Sequence, residues 1–183
     1  MTLSKLDETP ALIVIDLQKG ILALPMAHPA QKVVGKAAVL ARAFRLRGYP
    51  VVLVNVAGSA PGRTDRSRHS APPAHWSELA PELVQHASDH VVTKLRWGAF
   101  HDTGLHHQLI DMRVTQVVLC GIATSIGVES TARCAHEYGY HVVLVEDAMT
   151  DPDAEAHRHS IQKIFPRLGE LTNMAELLRA LEG

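Results

Sequence analysis

Five short runs of apolar residues, rich in valine and isoleucine, constrain the fold of this chain more than any other feature. Strands that are apolar on both sides are typical of a parallel sheet whose two faces are covered by helices. We therefore predict an α/β fold, a doubly wound and mostly parallel sheet of about six strands with helices on both faces. The runs are Ala11–Asp16, Pro50–Ala57, His90–Lys94, Gln116–Ile122 and His141–Ala148.

Stretches with helical periodicity separate these runs. Gly48 and Gly139 follow two of them, and a glycine just after the last turn is a common helix stop. We expect a single domain that covers residues 1–183. The predicted helices are Ala30–Arg47, Leu105–Met112, Ile126–Tyr138 and Asp153–Ile164, followed by a short strand near Glu170–Leu171 and a final helix at Met174–Leu181.

Charge and hydropathy exclude several classes of partner. The formal net charge of −1 gives no reason to expect nucleic acid or an anionic membrane surface as a partner. The N-terminus lacks the pattern of a signal peptide, and no apolar run reaches the roughly 18 residues that a membrane span needs. Cys120 and Cys134 lie in apolar surroundings without metal-type spacing. This usage favours a reducing compartment, and we expect a cytoplasmic protein.

Polar groups follow three of the apolar runs. Asp16 ends the first, Lys94 ends the third, and the small-residue turn 121–127 follows the fourth. Ligands of open α/β sheets bind at the carboxyl ends of strands, so these groups would converge if the strands are parallel neighbours. Taken singly, Asp16 could cap the next turn and Lys94 could reach solvent. Their coincidence predicts a functional site.

The long segment 58–81 shows neither strand nor helix periodicity and is rich in proline, serine, arginine and histidine. It follows a strand, so it lies on the ligand side of the sheet, as a functional loop or an ordinary surface excursion. Its Arg63, Arg66 and Arg68 would suit recognition of a dicarboxylate. They would equally suit a solvated basic face.

Three blocks resemble the signature motifs of the isochorismatase-like hydrolases, also called the cysteine hydrolase superfamily. They are IDLQ at residues 15–18, TKLRWGAF at 93–100 and GIATSIGVESTAR at 121–133. The resemblance implies a triad in which Asp16 and Lys94 match the family's aspartate and lysine, while Gly127 stands where most members have a cysteine. It also implies a cis peptide at Ile122–Ala123 and a homo-oligomer, either a dimer or a tetramer.

The same resemblance implies contacts with a small-molecule substrate. Trp97 and Phe100 are the expected pocket walls, although either ring could instead belong to the core. The expected substrate-binding residues are Gln18, Trp97, Phe100, Ile122, Ala123, Ser125 and Ile126.

The glycine at position 127 excludes a covalent attack from that residue. True isochorismatases also carry glycine there, and they hydrolyse a vinyl ether by protonating it and capturing the cation with water. We therefore predict non-covalent hydrolysis of a small carboxylated metabolite, with Asp16 as the acid and Lys94 as the positioning cation. Lys94 would lower the pKa of Asp16 while burial would raise it, and the sequence leaves this balance open.

Two alternatives remain. Authentic isochorismatases have a histidine where Ser125 stands, which argues against isochorismate itself as the substrate. The chain could instead be a catalytically silent member that has lost its nucleophile and binds a metabolite or serves as an assembly partner. It could also hydrolyse amides through another nucleophile. Cys134 lies about 10 Å along the helix from position 127, Cys120 is expected to be an inert buried thiol, and Ser125 would need Asp16 as its base.

We expect no cofactor and no metal. The metal-binding members carry an Asp-x-His motif after the second strand, and this chain lacks it. His106 and His107 are adjacent, so they point in different directions on a helix. His157 and His159 also diverge.

Overall fold

The structure, a computed structural model, describes residues 3–65 and 73–182. These residues form a six-stranded sheet in which every strand pair is parallel, so the predicted fold class is confirmed. The strands are β1 (Pro10–Ile15), β2 (Val51–Val56), β3 (His90–Lys94), β4 (Gln116–Ile122), β5 (His141–Thr150) and β6 (Glu170–Thr172).

Helices connect the strands and cover both faces of the sheet. Two of the predicted helices begin or end differently, because Thr124–Val128 and Ser160–Ile164 are π-helical turns. Short 3-10 turns lie at Pro81–Leu83 and Phe165–Arg167. The α-helices are α1 (Lys19–Leu22), α2 (Ala30–Leu46), α3 (Leu105–Asp111), α4 (Glu129–Glu137), α5 (Ala154–His159) and α6 (Met174–Glu182).

The strand order places a crevice beside β1. The order across the sheet is β3-β2-β1-β4-β5-β6. The chain builds outward from β1 to β3 and then returns to the other side of β1 to form β4. The loops that follow β1 and β4 therefore leave in opposite directions, and the gap between them is the usual ligand site of such sheets.

Alternate residues of β1 enter two separate cores, which explains why the strand is apolar throughout. Leu12 and Val14 pack on one face, in a buried cluster that includes α2 and α6. Ile13 and Ile15 pack on the other face, in a cluster that includes α3 and α4. Both faces of the strand are therefore shielded from water, as a doubly covered parallel sheet requires.

At the crevice, β4 lies unusually close to β1. Gly121 has a φ of +122°, and a β-carbon built there would lie 2.1 Å from the carbonyl oxygen of Ile15. No side chain fits that space, so glycine is required for the two strands to pair at their carboxyl ends. Among the described residues, no helix has the length and apolar character needed to cross a membrane.

Candidate active site

Asp16 lies at the mouth of the crevice, directly after β1. Its backbone is left-handed, with a φ of +52°, which aspartate tolerates better than most residues. The backbone N–H of Asp16 still donates to the carbonyl of Val54 at 2.9 Å, so the residue remains tied to the sheet. The sharp change of direction turns the carboxyl group over the end of the sheet.

Lys94 reaches Asp16 from a strand that is not its neighbour. Because β2 separates β3 from β1, the two strands are about 10 Å apart, and the side chains of Lys94 and Asp16 meet across that gap. Its Nζ donates to Oδ2 of Asp16 at 2.8 Å and to the carbonyl of Arg96 at 3.1 Å. The side chain of Lys94 is 1% exposed and that of Asp16 is 7% exposed, so the ion pair is buried.

The two oxygens of the Asp16 carboxyl group differ. Oδ2 is bound by Lys94, whereas Oδ1 is buried and has no hydrogen-bond partner among the described residues. Burial raises the pKa of Asp16 from 3.8 to about 6, and the charge and hydrogen bond of Lys94 oppose that rise only in part. Burial therefore outweighs the lysine, and the protonated form of Asp16 persists to higher pH than in an ordinary aspartate.

Gly127 faces this carboxyl group from the turn after β4. It belongs to the π-helical turn at Thr124–Val128, which follows a cis peptide between Ile122 and Ala123. A β-carbon at Gly127 would lie 3.1 Å from Oδ2 of Asp16 and 3.0 Å from Cγ2 of Ile15. A side chain at this position would thus point at Asp16, and both neighbours would have to move by a few tenths of an ångström.

The predicted substrate contacts on this turn have varied surroundings. Ile122 is buried in the core on the α2 face, while Ala123 and Ile126 are half-buried on the turn. Ser125 donates from both its backbone N–H and its hydroxyl to Oδ2 of Asp151, each at 2.8 Å. The expectation that only Asp16 could serve as a base for Ser125 is therefore wrong, because Asp151 holds that hydroxyl.

Gln18 is buried, and its amide is committed to the main chain. Its Nε2 donates to the carbonyls of Val56 and Trp76, both at 3.0 Å, and its Oε1 accepts from the N–H of Val56 at 2.7 Å. This corrects the expectation that Gln18 contacts the substrate, because its amide binds main-chain groups. The side chain instead joins the end of β2 to the far end of the long loop, beside Asp16.

The two aromatic residues predicted as pocket walls have different environments. Phe100 is 6% exposed and packs against Tyr138 and Tyr140, which favours the alternative that its ring belongs to the core. Trp97 is 63% exposed. Of the loop arginines, Arg63 is exposed, while Arg66 and Arg68 lie outside the described residues.

The cysteines are poor nucleophiles. Cys120 is completely buried in β4, and burial raises the pKa of its thiol to about 12. Burial, with the nearby charge of Glu137, also raises the pKa of Cys134. Within the parts of the chain that the structure describes, no three histidine, cysteine or acidic side chains are grouped as a metal site would require.

A group of polar residues on the far side of the turn was not predicted. Asp151 directly follows β5, as Asp16 follows β1, so the same rule would have identified it. Thr124 contacts the carbonyl of Thr150 at 3.0 Å and Nδ1 of His157 at 2.8 Å. No sequence pattern indicated those contacts, because they join residues 26 and 33 positions apart.

Known proteins share this fold and much of this sequence. The sequence of residues 10–176 matches the family model of the isochorismatase domain. An uncharacterized isochorismatase family protein of Escherichia coli O157:H7, YecD, is 43% identical, over 95% of this chain and 97% of its own.

Solved structures agree with that similarity. An isochorismatase family protein from Burkholderia thailandensis is 44% identical, covers 98% of both chains and superposes with a TM-score of 0.92. An N-carbamoylsarcosine amidase from Thermoplasma acidophilum is 29% identical, with 91% of this chain and 96% of that chain covered and a TM-score of 0.77.

Proposed function

We propose that this chain, which belongs to the isochorismatase family of hydrolases, cleaves the vinyl ether of a small carboxylated molecule without a covalent intermediate. One observation carries the proposal. Asp16 has a buried oxygen without a hydrogen-bond partner among the described residues, on a carboxyl group whose pKa is raised to about 6. A general acid that works near neutral pH needs these properties.

Asp16 is the proton donor in this reaction. The proton on Oδ1 passes to the terminal carbon of the alkene, and the electrons of the double bond form the new C–H bond. This leaves an oxocarbenium ion, which one water molecule attacks. The proton that water loses restores the carboxyl group, and the resulting hemiketal separates into an alcohol and a ketone.

Lys94 is the positioning cation. Its hydrogen bond to Oδ2 orients the carboxyl group, so that the proton resides on the opposite oxygen. Asp16 and the carbonyl of Arg96 take two of its three N–H groups. The third remains for a substrate carboxylate, whose charge would also favour the protonated form of Asp16.

Gly127 supports hydrolysis without an acyl-enzyme. A nucleophile at this position is absent, and a β-carbon would already press against Oδ2 of Asp16. Of the other candidates, Cys120 is buried with a raised pKa, and the hydroxyl of Ser125 donates to Asp151. Acyl transfer of the kind used by amidases would therefore have to use Ser125, whereas the proposed reaction needs no attacking side chain.

The proposal is tested with a panel of carboxylated vinyl ethers, by following ketone release as a function of pH. We expect kcat/KM to fall about tenfold per pH unit above an apparent pKa near that of Asp16. The variant Asp16→Ala should lose this dependence together with most of the activity. Asp111→Asn, which changes an exposed carboxyl group on α3, is the matched control and should behave as the wild type.

Three outcomes would overturn the proposal. A pH profile that stays flat to about pH 9 would exclude Asp16 as the acid. Loss of activity on alkylation of the thiols would indicate a cysteine mechanism instead. Saturable binding of panel members without any turnover would favour a catalytically silent protein that binds metabolites.

A further inference from the structure

The turn that carries Gly127 is held from its far side by the end of β5 and by α5. We call the residues Thr150, Asp151 and His157 the β5 anchor. Two consecutive side chains of the turn, Thr124 and Ser125, bind to it. The position of the turn relative to Asp16 therefore depends on residues outside the Asp16–Lys94 pair.

The available donors and acceptors determine the direction of the hydrogen bond between Thr124 and His157. The hydroxyl of Thr124 lies 3.0 Å from the carbonyl oxygen of Thr150, which can only accept a hydrogen bond. The single hydroxyl proton of Thr124 is therefore committed to that bond. Its other contact, at 2.8 Å to Nδ1 of His157, then needs a proton on the histidine nitrogen.

The surroundings of His157 favour its neutral form. The ring is half-buried, and the ring of His28 lies 4.9 Å away between centroids. Burial and His28 lower the pKa of His157, and the nearby Asp151 raises it less. A neutral imidazole carries a single ring proton, so a proton on Nδ1 leaves Nε2 bare.

We propose that His157 is a positioning residue for the active site, held as the Nδ1–H tautomer so that it fixes the turn through Thr124. The chain of donors runs from His157 to the hydroxyl of Thr124 and on to the carbonyl of Thr150. The hydroxyl and the carbonyl belong to residues without solvent exposure, so water does not compete for these bonds while His157 is in place.

The position of the turn matters because the turn covers Asp16. A β-carbon at Gly127 would lie 3.1 Å from Oδ2 of Asp16, so a shift of the turn uncovers the carboxyl group. Since burial is the largest cause of the raised pKa of Asp16, exposure lowers that pKa. The functional meaning of His157 rests on the proposed role of Asp16, but its tautomer and its contacts do not.

The tautomer is tested directly by two-bond ¹H–¹⁵N correlation spectra of the ¹⁵N-histidine-labelled protein at pH 7.5. We expect the protonated-nitrogen shift at Nδ1 and the bare-nitrogen shift at Nε2 for His157. Thr124→Val removes the acceptor and should change this pattern. A dominant Nε2–H form, or an imidazolium, in the wild type would overturn the inference.

The positioning role is tested with a matched pair of variants. Asn at position 157 places an N–H donor close to that of Nδ1, whereas Ala places none. We expect the carboxyl titration of Asp16, followed by ¹³C NMR, to shift towards an ordinary aspartate in His157→Ala and to stay near the wild-type value in His157→Asn. An unchanged titration in His157→Ala would overturn the positioning role.

These measurements do not need a substrate. If His157 shows the expected tautomer and variant pattern while no vinyl ether is cleaved, only the proposed reaction fails. If vinyl ethers are cleaved but His157 is the Nε2–H form, only the positioning inference fails.

Discussion

The buried carboxyl group of Asp16 should make the protein less stable as pH rises. Its pKa is raised from 3.8 to about 6, so the native state keeps a proton that the unfolded state has already lost between those values. Stability is therefore present in full below pH 3.8 and falls until the pH passes 6. At 1.36 kcal/mol per unit, the penalty at neutral pH is about 3 kcal/mol.

Urea unfolding of the wild type and of the double variant Asp16→Asn/Lys94→Met isolates this effect. Both charges of the buried pair are removed together, because an unpaired Lys94 would add a penalty of its own. We expect the free energy of unfolding of the variant, minus that of the wild type, to rise by about 2 kcal/mol between about pH 4.5 and 7. A constant difference would show that Lys94 balances burial, and a decrease would show that Lys94 outweighs it; either would refute the assignment of Asp16 as an acid.

Four further substitutions test the packing around the site by thermal or urea unfolding. Phe100→Ala should lower the free energy of unfolding by about 3–5 kcal/mol because its ring is buried. Trp97→Ala should change it by less than about 0.5 kcal/mol because that ring is exposed. Equal losses would contradict the buried position of Phe100 and the exposed position of Trp97. Gln18→Leu should lower the free energy of unfolding by about 1–3 kcal/mol for each buried main-chain group that it leaves unpaired. An unchanged unfolding midpoint would exclude the proposed link between β2 and the long loop. Gly20→Ala would place a methyl group 2.1 Å from the ring of Trp76. We therefore expect the free energy of unfolding to fall by about 1–3 kcal/mol and the tryptophan emission spectrum to change. An unchanged spectrum would show that the ring does not pack against Gly20.

The sequence was sufficient to predict the fold class and the meeting of Asp16 with Lys94. Each residue ends an apolar run, and parallel strands end at the same edge of a sheet. The path of the lysine could not be predicted, because the order of the strands depends on pairing between distant segments. The pair meets across β2, whereas the sequence argument had made the convergence conditional on neighbouring strands.

Other roles depended on partners that no local pattern indicates. Gln18 sits in a signature block, but its amide binds groups 38 and 58 residues away. Phe100 ends another such block, yet its ring packs on Tyr138 and Tyr140. Spacing along the chain identified residues near the site, and only the tertiary contacts showed which groups Gln18 and Phe100 bind.

The glycines at positions 121 and 127 differ in the substitutions that they tolerate. At Gly121 the positive φ and the nearby carbonyl of Ile15 exclude every other amino acid. We therefore expect no substitution at this position to survive in a mutational library selected for folded protein. At Gly127 the two closest contacts of a β-carbon are side-chain atoms, which can yield slightly, and the backbone carbonyl of Ile122 lies at an ordinary 3.6 Å. We therefore expect that position to tolerate a small side chain, such as that of cysteine, without loss of the fold.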